Sequence, residues 1–292
     1  MRARFRFTIA AIAAAVGLLA WGAFVTSIDA GLAVPDWPTS FDSYDPFNPW
    51  PGWWKVTPIL AEHGHRLAGA LVGLFTLVLA LWTWRSDDRA WMRRLGMAAL
   101  VLVIFQGVLG GLRVALVSLD LAVVHACVAQ LFFATLAAMA LFTSGLWQRP
   151  GPAPTINLPK AGWLAAGAVY VQIILGALLR HPGTGIDPLL AGLHISWAFV
   201  ALFAVVVHVK VLRSASGLRT LGGVLLATVV AQVALGFVAY FVLLDEAGVL
   251  QPSNLQVVVN SLHLVIGAAL FSLNVVGALA LARARRLSPV PA

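Results

Sequence analysis

Eight stretches of about 20 apolar residues, centred near residues 17, 71, 102, 132, 170, 200, 231 and 268, decide what this chain can fold into. Each is long enough to cross a hydrocarbon core as a helix, and little sequence is left over for a soluble domain. The composition agrees: 61% of the 292 residues are hydrophobic, 10% are charged, and the mean hydropathy is +0.92, far above that of a water-soluble domain. The expectation is an all-α integral membrane protein with lipid as the solvent of most of its surface.

The first stretch follows Arg2, Arg4 and Arg6, which imitate the basic start of a signal peptide. Its apolar run from Phe7 to about Val25 exceeds the roughly 7 to 15 residues of a cleaved core, so it reads as a retained helix. A net charge of +8 does not point to nucleic acid, because the basic residues fall in short connections between spans. Arg2, Arg4, Arg6, Arg85, Arg89, Arg93, Arg94, Arg149, Lys160, Lys210, Arg213, Arg219, Arg283, Arg285 and Arg286 share one side, which the positive-inside rule makes the cytoplasm. Asp29, Asp36, Asp42, Asp45, Asp120, Asp187, Asp245 and Glu246 share the other, with Lys55, Arg113 and Arg180. Both termini are expected inside, in a cell membrane. The single cysteine, Cys127, lies within the fourth span and reads as a small buried apolar residue; one cysteine makes neither a disulfide nor a CxxC pair within the chain.

The connection from Asp29 to about Thr57 is proline-rich and carries Trp37, Trp50, Trp53 and Trp54, residues that favour the membrane–water interface. Anchor and lid are both open readings of it. The run Pro150, Gly151, Pro152, Ala153, Pro154 cannot continue a helix. It divides the chain into an N-terminal four-helix bundle (1–149), a cytoplasmic linker (150–159) and a C-terminal four-helix bundle (160–292), expected to be pseudo-symmetric. A short repeat supports duplication: Gln106-Gly-Val-Leu-Gly110 in the third span, Gln172-Ile-Ile-Leu-Gly176 in the fifth and Gln232-Val-Ala-Leu-Gly236 in the seventh. Small residues also recur in membrane helices for packing reasons, so the repeat alone is weak.

Ionisable residues within membrane spans are costly enough to be functional candidates. Of seven histidines, His65, His125, His194 and His263 each lie in the outer third of an even-numbered span, at offsets of 129 and 138 residues between the halves. Two neutral imidazoles from facing helices are an axial ligand pair for haem iron. One turn on stand Gly69, Ala129, Ala198 and Gly267, small enough for a flat macrocycle to approach the backbone, or for helices to pack closely. His63, on roughly the opposite face from His65, His181 beside Pro182 and Gly183, and His208 near a cytoplasmic end read as non-ligands, with roles the sequence leaves open. Glu62, His65 and Arg66, at i, i+3 and i+4, share one broad helix face, either as an ion pair or with the carboxylate beside a haem. The second half has Ala191 where Glu62 stands, which suggests a reactive haem in the first half and a purely bound one in the second.

At these residues the sequence resembles the haem A synthase family. Ala30-Gly-Leu-Ala-Val34-Pro-Asp36-Trp37-Pro38 is similar to its first outer loop, and Glu62-His63-Gly64-His65-Arg66 to its Glu-x-x-His-Arg motif. The resemblance implies oxidation of a ring methyl of haem O to a formyl group, giving haem A for haem-copper terminal oxidases. It implies that His65 and His125, with Arg66, flank the substrate haem O, that Glu62 is the catalytic carboxylate, and that His194 and His263 ligate haem b, the four histidines being the iron ligands. It also implies contact with haem O synthase and oxidase-assembly factors. Some members carry a cysteine pair in the first outer loop; Cys127 stands alone here, so thiol-based electron entry at that loop is not expected. A di-haem b-type subunit linked to quinol and a haem transporter or chaperone are the alternatives. The sequence allows a homo-oligomer and does not name the electron donor.

Overall fold

The computed structural model describes residues 2–48, 52–149, 151–180, 187–245 and 252–287. Nine α-helices occur among them: α1 (Arg2–Ser27), α2 (Thr57–Ser86), α3 (Ala90–Ala115), α4 (Leu119–Thr143), a short α5 (Gly145–Gln148), α6 (Ala161–Arg180), α7 (Pro188–Arg213), α8 (Arg219–Asp245) and α9 (Asn254–Leu287). All except α5 are long and apolar enough to cross a membrane. Among the described residues there is no strand, and the chain is an all-α, multi-pass membrane protein. A helix is the natural answer in lipid because it satisfies its backbone polar groups within one segment.

The helix ends are written in the sequence. Pro58 and Pro188 stand in the first turns of α2 and α7, where a missing N–H costs nothing. Asp187 accepts from the N–H groups of Leu189 and Leu190, Ser118 from Leu121, Ser144 from Trp147 and Ser253 from Gln256. Large apolar side chains point outward along the spans, Phe199 and Phe203 at 68% and 72% exposure, as a lipid-facing surface requires and a water-facing one does not.

The chain forms two compact units, one of residues 10–129 and 234–265, the other of 1–9, 130–233 and 266–292. In the first, α2 packs on α3, and α1 lies against α2 through the Trp21 indole N–H, which donates to the Ala61 carbonyl at 2.9 Å. Glycine at position 64 leaves room for that indole. Val25, Ala30 and Ala61 form a small core with Phe24 and Ile28. In the second unit α6 packs on α7, where the Trp197 indole donates to the Ala168 carbonyl at 2.9 Å. Tyr170 and Phe271 stack there with ring centroids 5.2 Å apart.

Candidate functional site

The four histidines singled out by sequence occupy the same kind of seat. Each imidazole rests its Cε1 edge against a glycine of the long helix preceding its own. A Cβ added at Gly22 would stand 3.0 Å from His65 Cε1, at Gly110 3.2 Å from His125 Cε1, at Gly176 3.1 Å from His194 Cε1, and at Gly236 3.3 Å from His263 Cε1. Such distances crowd any side chain larger than hydrogen, so glycine is what lets each ring lie flush on a neighbouring backbone. All four rings are only half-buried, whereas His63 and His208 are sealed at 2% and 0% exposure.

In the first unit His65 lies within electrostatic reach of His125, and Arg113 within reach of both. The Nδ1 atoms of both histidines are buried and make no hydrogen bond. A buried imidazole nitrogen left unpaired is costly. Among the described residues no three histidine, cysteine or carboxylate side chains converge on one point. The donors therefore fit a group that brings its own equatorial ligands and needs only axial imidazoles, as a haem does.

Glutamine makes the second element of the seat. Gln106 Nε2 donates to the His125 carbonyl at 2.8 Å, and Gln172 Nε2 donates to the His194 carbonyl at 2.9 Å while lying 3.1 Å from His194 Nε2. In the third and fifth spans the Gln-x-x-x-Gly repeat, legible in sequence only as a sign of duplication, is thus a contact device: glutamine grips the histidine's backbone and glycine, one turn on, receives its ring. In α1 the residue four before Gly22 is Leu18, so the His65 seat lacks the grip. Of the small residues one turn beyond the histidines, Gly69 faces open space, and a Cβ at Gly267 would stand 3.2 Å from Gln232 Nε2.

Glu62 and Arg66 are brought together as an ion pair at 2.8 Å, with the carboxylate buried. Both carboxylate oxygens are engaged, the second accepting from the Val34 N–H at 2.7 Å. Arg66 goes further and donates to the carbonyls of Asp36 at 2.7 Å, Thr39 at 3.1 Å and Val34 at 3.0 Å. From α3, the Arg113 guanidinium donates to the Gly31 carbonyl at 2.8 Å, and the Trp37 indole lies directly on Gly111. Residues 31–40 are therefore fastened across the N-terminal end of α2 and the C-terminal end of α3. Sequence reading grouped Arg113 with the few outer cations and had no signal for the Gly31 and Gly111 contacts.

The segment beyond is shaped by Asp36, whose carboxylate accepts from the consecutive N–H groups of Phe41 at 2.7 Å and Asp42 at 2.9 Å. Both residues are left-handed, with φ of 53° and 59°, a costly backbone that these bonds hold. Burial raises the Asp36 carboxyl, but bonds from the Thr39 side chain and the Asp42 and Phe41 amides together outweigh it, and the group titrates below the usual aspartate range. A cavity of about 200 Å³ opens beside this segment, bordered by Trp37, Tyr44, His63 and Arg66.

His63 Nε2 lies 2.7 Å from the Pro46 carbonyl and its ring meets Trp53 edge-on at 4.8 Å, so it anchors the loop. His208 Nδ1 lies 2.7 Å from Asn274 Oδ1 in a slot formed by Gly162 and Gly277, a packing role. Cys127 is buried. His181, Trp50, Pro150 and Glu246 lie outside the described residues.

Residues 55–188 match the family model described as cytochrome oxidase assembly protein, a stretch that contains Glu62, His65, Arg66 and His125 but neither His194 nor His263. Similar proteins include a haem A synthase of Shouchella clausii, 29% identical over 173 residues, or 56% of this chain and 54% of the relative. Another, from Halalkalibacterium halodurans, is 28% identical over 172 residues (56% and 55%), and one from Symbiobacterium thermophilum is 31% identical over 183 residues (58% and 57%). The match thus spans little more than half the length of each relative.

Proposed function

We propose that this chain acts as the haem A synthases it resembles do, oxidising a ring methyl of haem O to a formyl group, by successive hydroxylations, to supply haem A for haem-copper oxidases. The observation that carries the reading is the fourfold seat: half-buried imidazoles, each flush on a glycine of a neighbouring helix, with no metal cluster among the described residues.

The roles divide along the two sequence halves, 1–149 and 160–292. His65 and His125 would take the substrate haem O, and His194 and His263 would be the ligands of haem b, which would supply one-electron exchange. Arg66 and Glu62 form the reacting face. Arg66 holds Glu62 in place, and the carboxylate stabilises positive charge that develops at the oxidised carbon or accepts a proton from it. Val34, fastened to the same carboxylate, carries the outer loop over the helix ends, where it limits entry of water. The distribution of basic residues supports a topology with both termini in the cytoplasm, and haem O synthase and oxidase-assembly factors are the partners this activity calls for.

Pigments extracted from the purified full chain and identified by mass test the reading. Haem O and haem A beside haem b are expected. Unmodified haem b as the only pigment, in cells that make haem O, overturns it.

A further inference from the structure

The Gln172 carboxamide on α6 has its orientation dictated by its neighbour. Its Nε2 lies 2.9 Å from the backbone oxygen of His194, an atom that only accepts, so the amide turns its NH2 end toward α7. The same nitrogen lies 3.1 Å from His194 Nε2. An amide nitrogen has only hydrogens to offer, so the ring Nε2 must be the acceptor. A neutral imidazole with an accepting Nε2 carries its proton on Nδ1. Gly176, one turn on from Gln172, admits the ring to this position: a Cβ there would stand 3.1 Å from Cε1 and 3.5 Å from Nδ1.

We propose that Gln172 is a positioning residue that fixes His194 in the tautomer with its lone pair on Nε2, the form in which an imidazole ligates a metal through that atom, and yields that lone pair to iron while keeping its bond to the His194 carbonyl. The second clause rests on the reading of His194 as a haem ligand; the tautomer stands on the local geometry alone. Gln106 sharpens the assignment by contrast. It makes the carbonyl bond to His125, at 2.8 Å, without any bond to the ring, so the α3–α4 seat keeps the grip on the backbone and not the tautomer device. Partners that set the tautomer and ring direction of a ligating histidine commonly alter the metal's properties, which gives the proposal a spectroscopic signature.

The test uses the full chain, labelled with 15N-histidine and reconstituted in lipid without haem, with His194 signals identified by difference from His194→Ala. The wild type is expected to show a protonated Nδ1 and a bare Nε2, and Gln172→Met is expected to move most of the proton to Nε2. A wild-type proton on Nε2, or signals unchanged in Gln172→Met, overturns the proposal. Should Gln172→Met not accumulate, Gln172→Glu keeps the length, offers no donor as a carboxylate, and is expected to give the same reversal. In haem-loaded protein Gln172→Met is expected to keep haem within twofold of wild type while the largest g-value of its ferric spectrum shifts; an unchanged g-value overturns the positioning role. Haem b fully retained in His194→Ala overturns the ligand reading and leaves the tautomer result to be judged by itself.

Discussion

The α1–α2 seat of His65 and the α6–α7 seat of His194 start alike and end differently. In both, the ring lies on a glycine of the preceding helix, at 3.0 Å and 3.1 Å from a would-be Cβ. Around His194 the polar partner comes from that same helix, through Gln172. Around His65 the equivalent position is Leu18, and the polar groups come from its own helix, Glu62 and Arg66, and are tied to a loop. A repeated seat thus has two surroundings: one neighbour that grips the histidine, and one that places a carboxylate on its own helix face.

That contrast breaks most sharply at Glu62. Replacing it with alanine is expected to lower haem A formation by about a thousandfold, the order expected for a lost proton-handling group, while haem b content stays at the wild-type level. Undiminished product, read by mass of extracted pigments, removes the chemical difference between the seats. Next comes Arg66→Ala, which strips donors from three loop carbonyls and leaves Glu62 buried without its cation. A destabilisation of about 3 kcal/mol is expected, the low end for breaking a buried pair because the arginine side chain keeps 19% exposure. Faster protease cleavage within residues 31–48 reads it, and a cleavage rate equal to wild type contradicts the clasp.

Smaller effects probe what the seats share. Gly22→Ala and Gly176→Ala each press a methyl on an imidazole, and overpacking of about 1 kcal/mol lowers haem occupancy several-fold. The two variants are expected to deplete different pigments, haem O with haem A for Gly22 and haem b for Gly176; depletion of one and the same pigment by both merges the seats. The least effect belongs to Asp36. Its carboxyl is lowered in the folded chain, so its contribution is complete above the unfolded pKa and is lost as pH falls through the lower, folded value. Loop protection from protease is therefore expected to decline only below the usual aspartate range, and Asp36→Asn to abolish that step while weakening the loop slightly at neutral pH.

The eight spans were legible because lipid imposes a length and a polarity on each one separately, and every centre read from hydropathy falls inside a helix. Glu62 and Arg66 were legible as partners because i and i+4 are neighbours on any helix. What could not be read is what crosses between helices. Gln172 and His194 are 22 residues apart, with nothing local to join them, and Gly22 sits in an apolar run where glycine has no visible purpose. The repeat Gln-x-x-x-Gly was the available signal for the seats, but its use needs the identity of the facing helix. Arg113 carried no signal at all, since its partner is a backbone carbonyl 82 residues earlier.

The fastening of residues 31–40 has a consequence for how the chain is built. The loop is synthesised before any of the groups that hold it: Glu62 and Arg66 follow on α2, and Gly111 and Arg113 only near the end of α3. In a polypeptide made from its N-terminus, the bonds from α2 become possible before those from α3, so the segment is fastened in two stages, the second only once Gly111 and Arg113 exist.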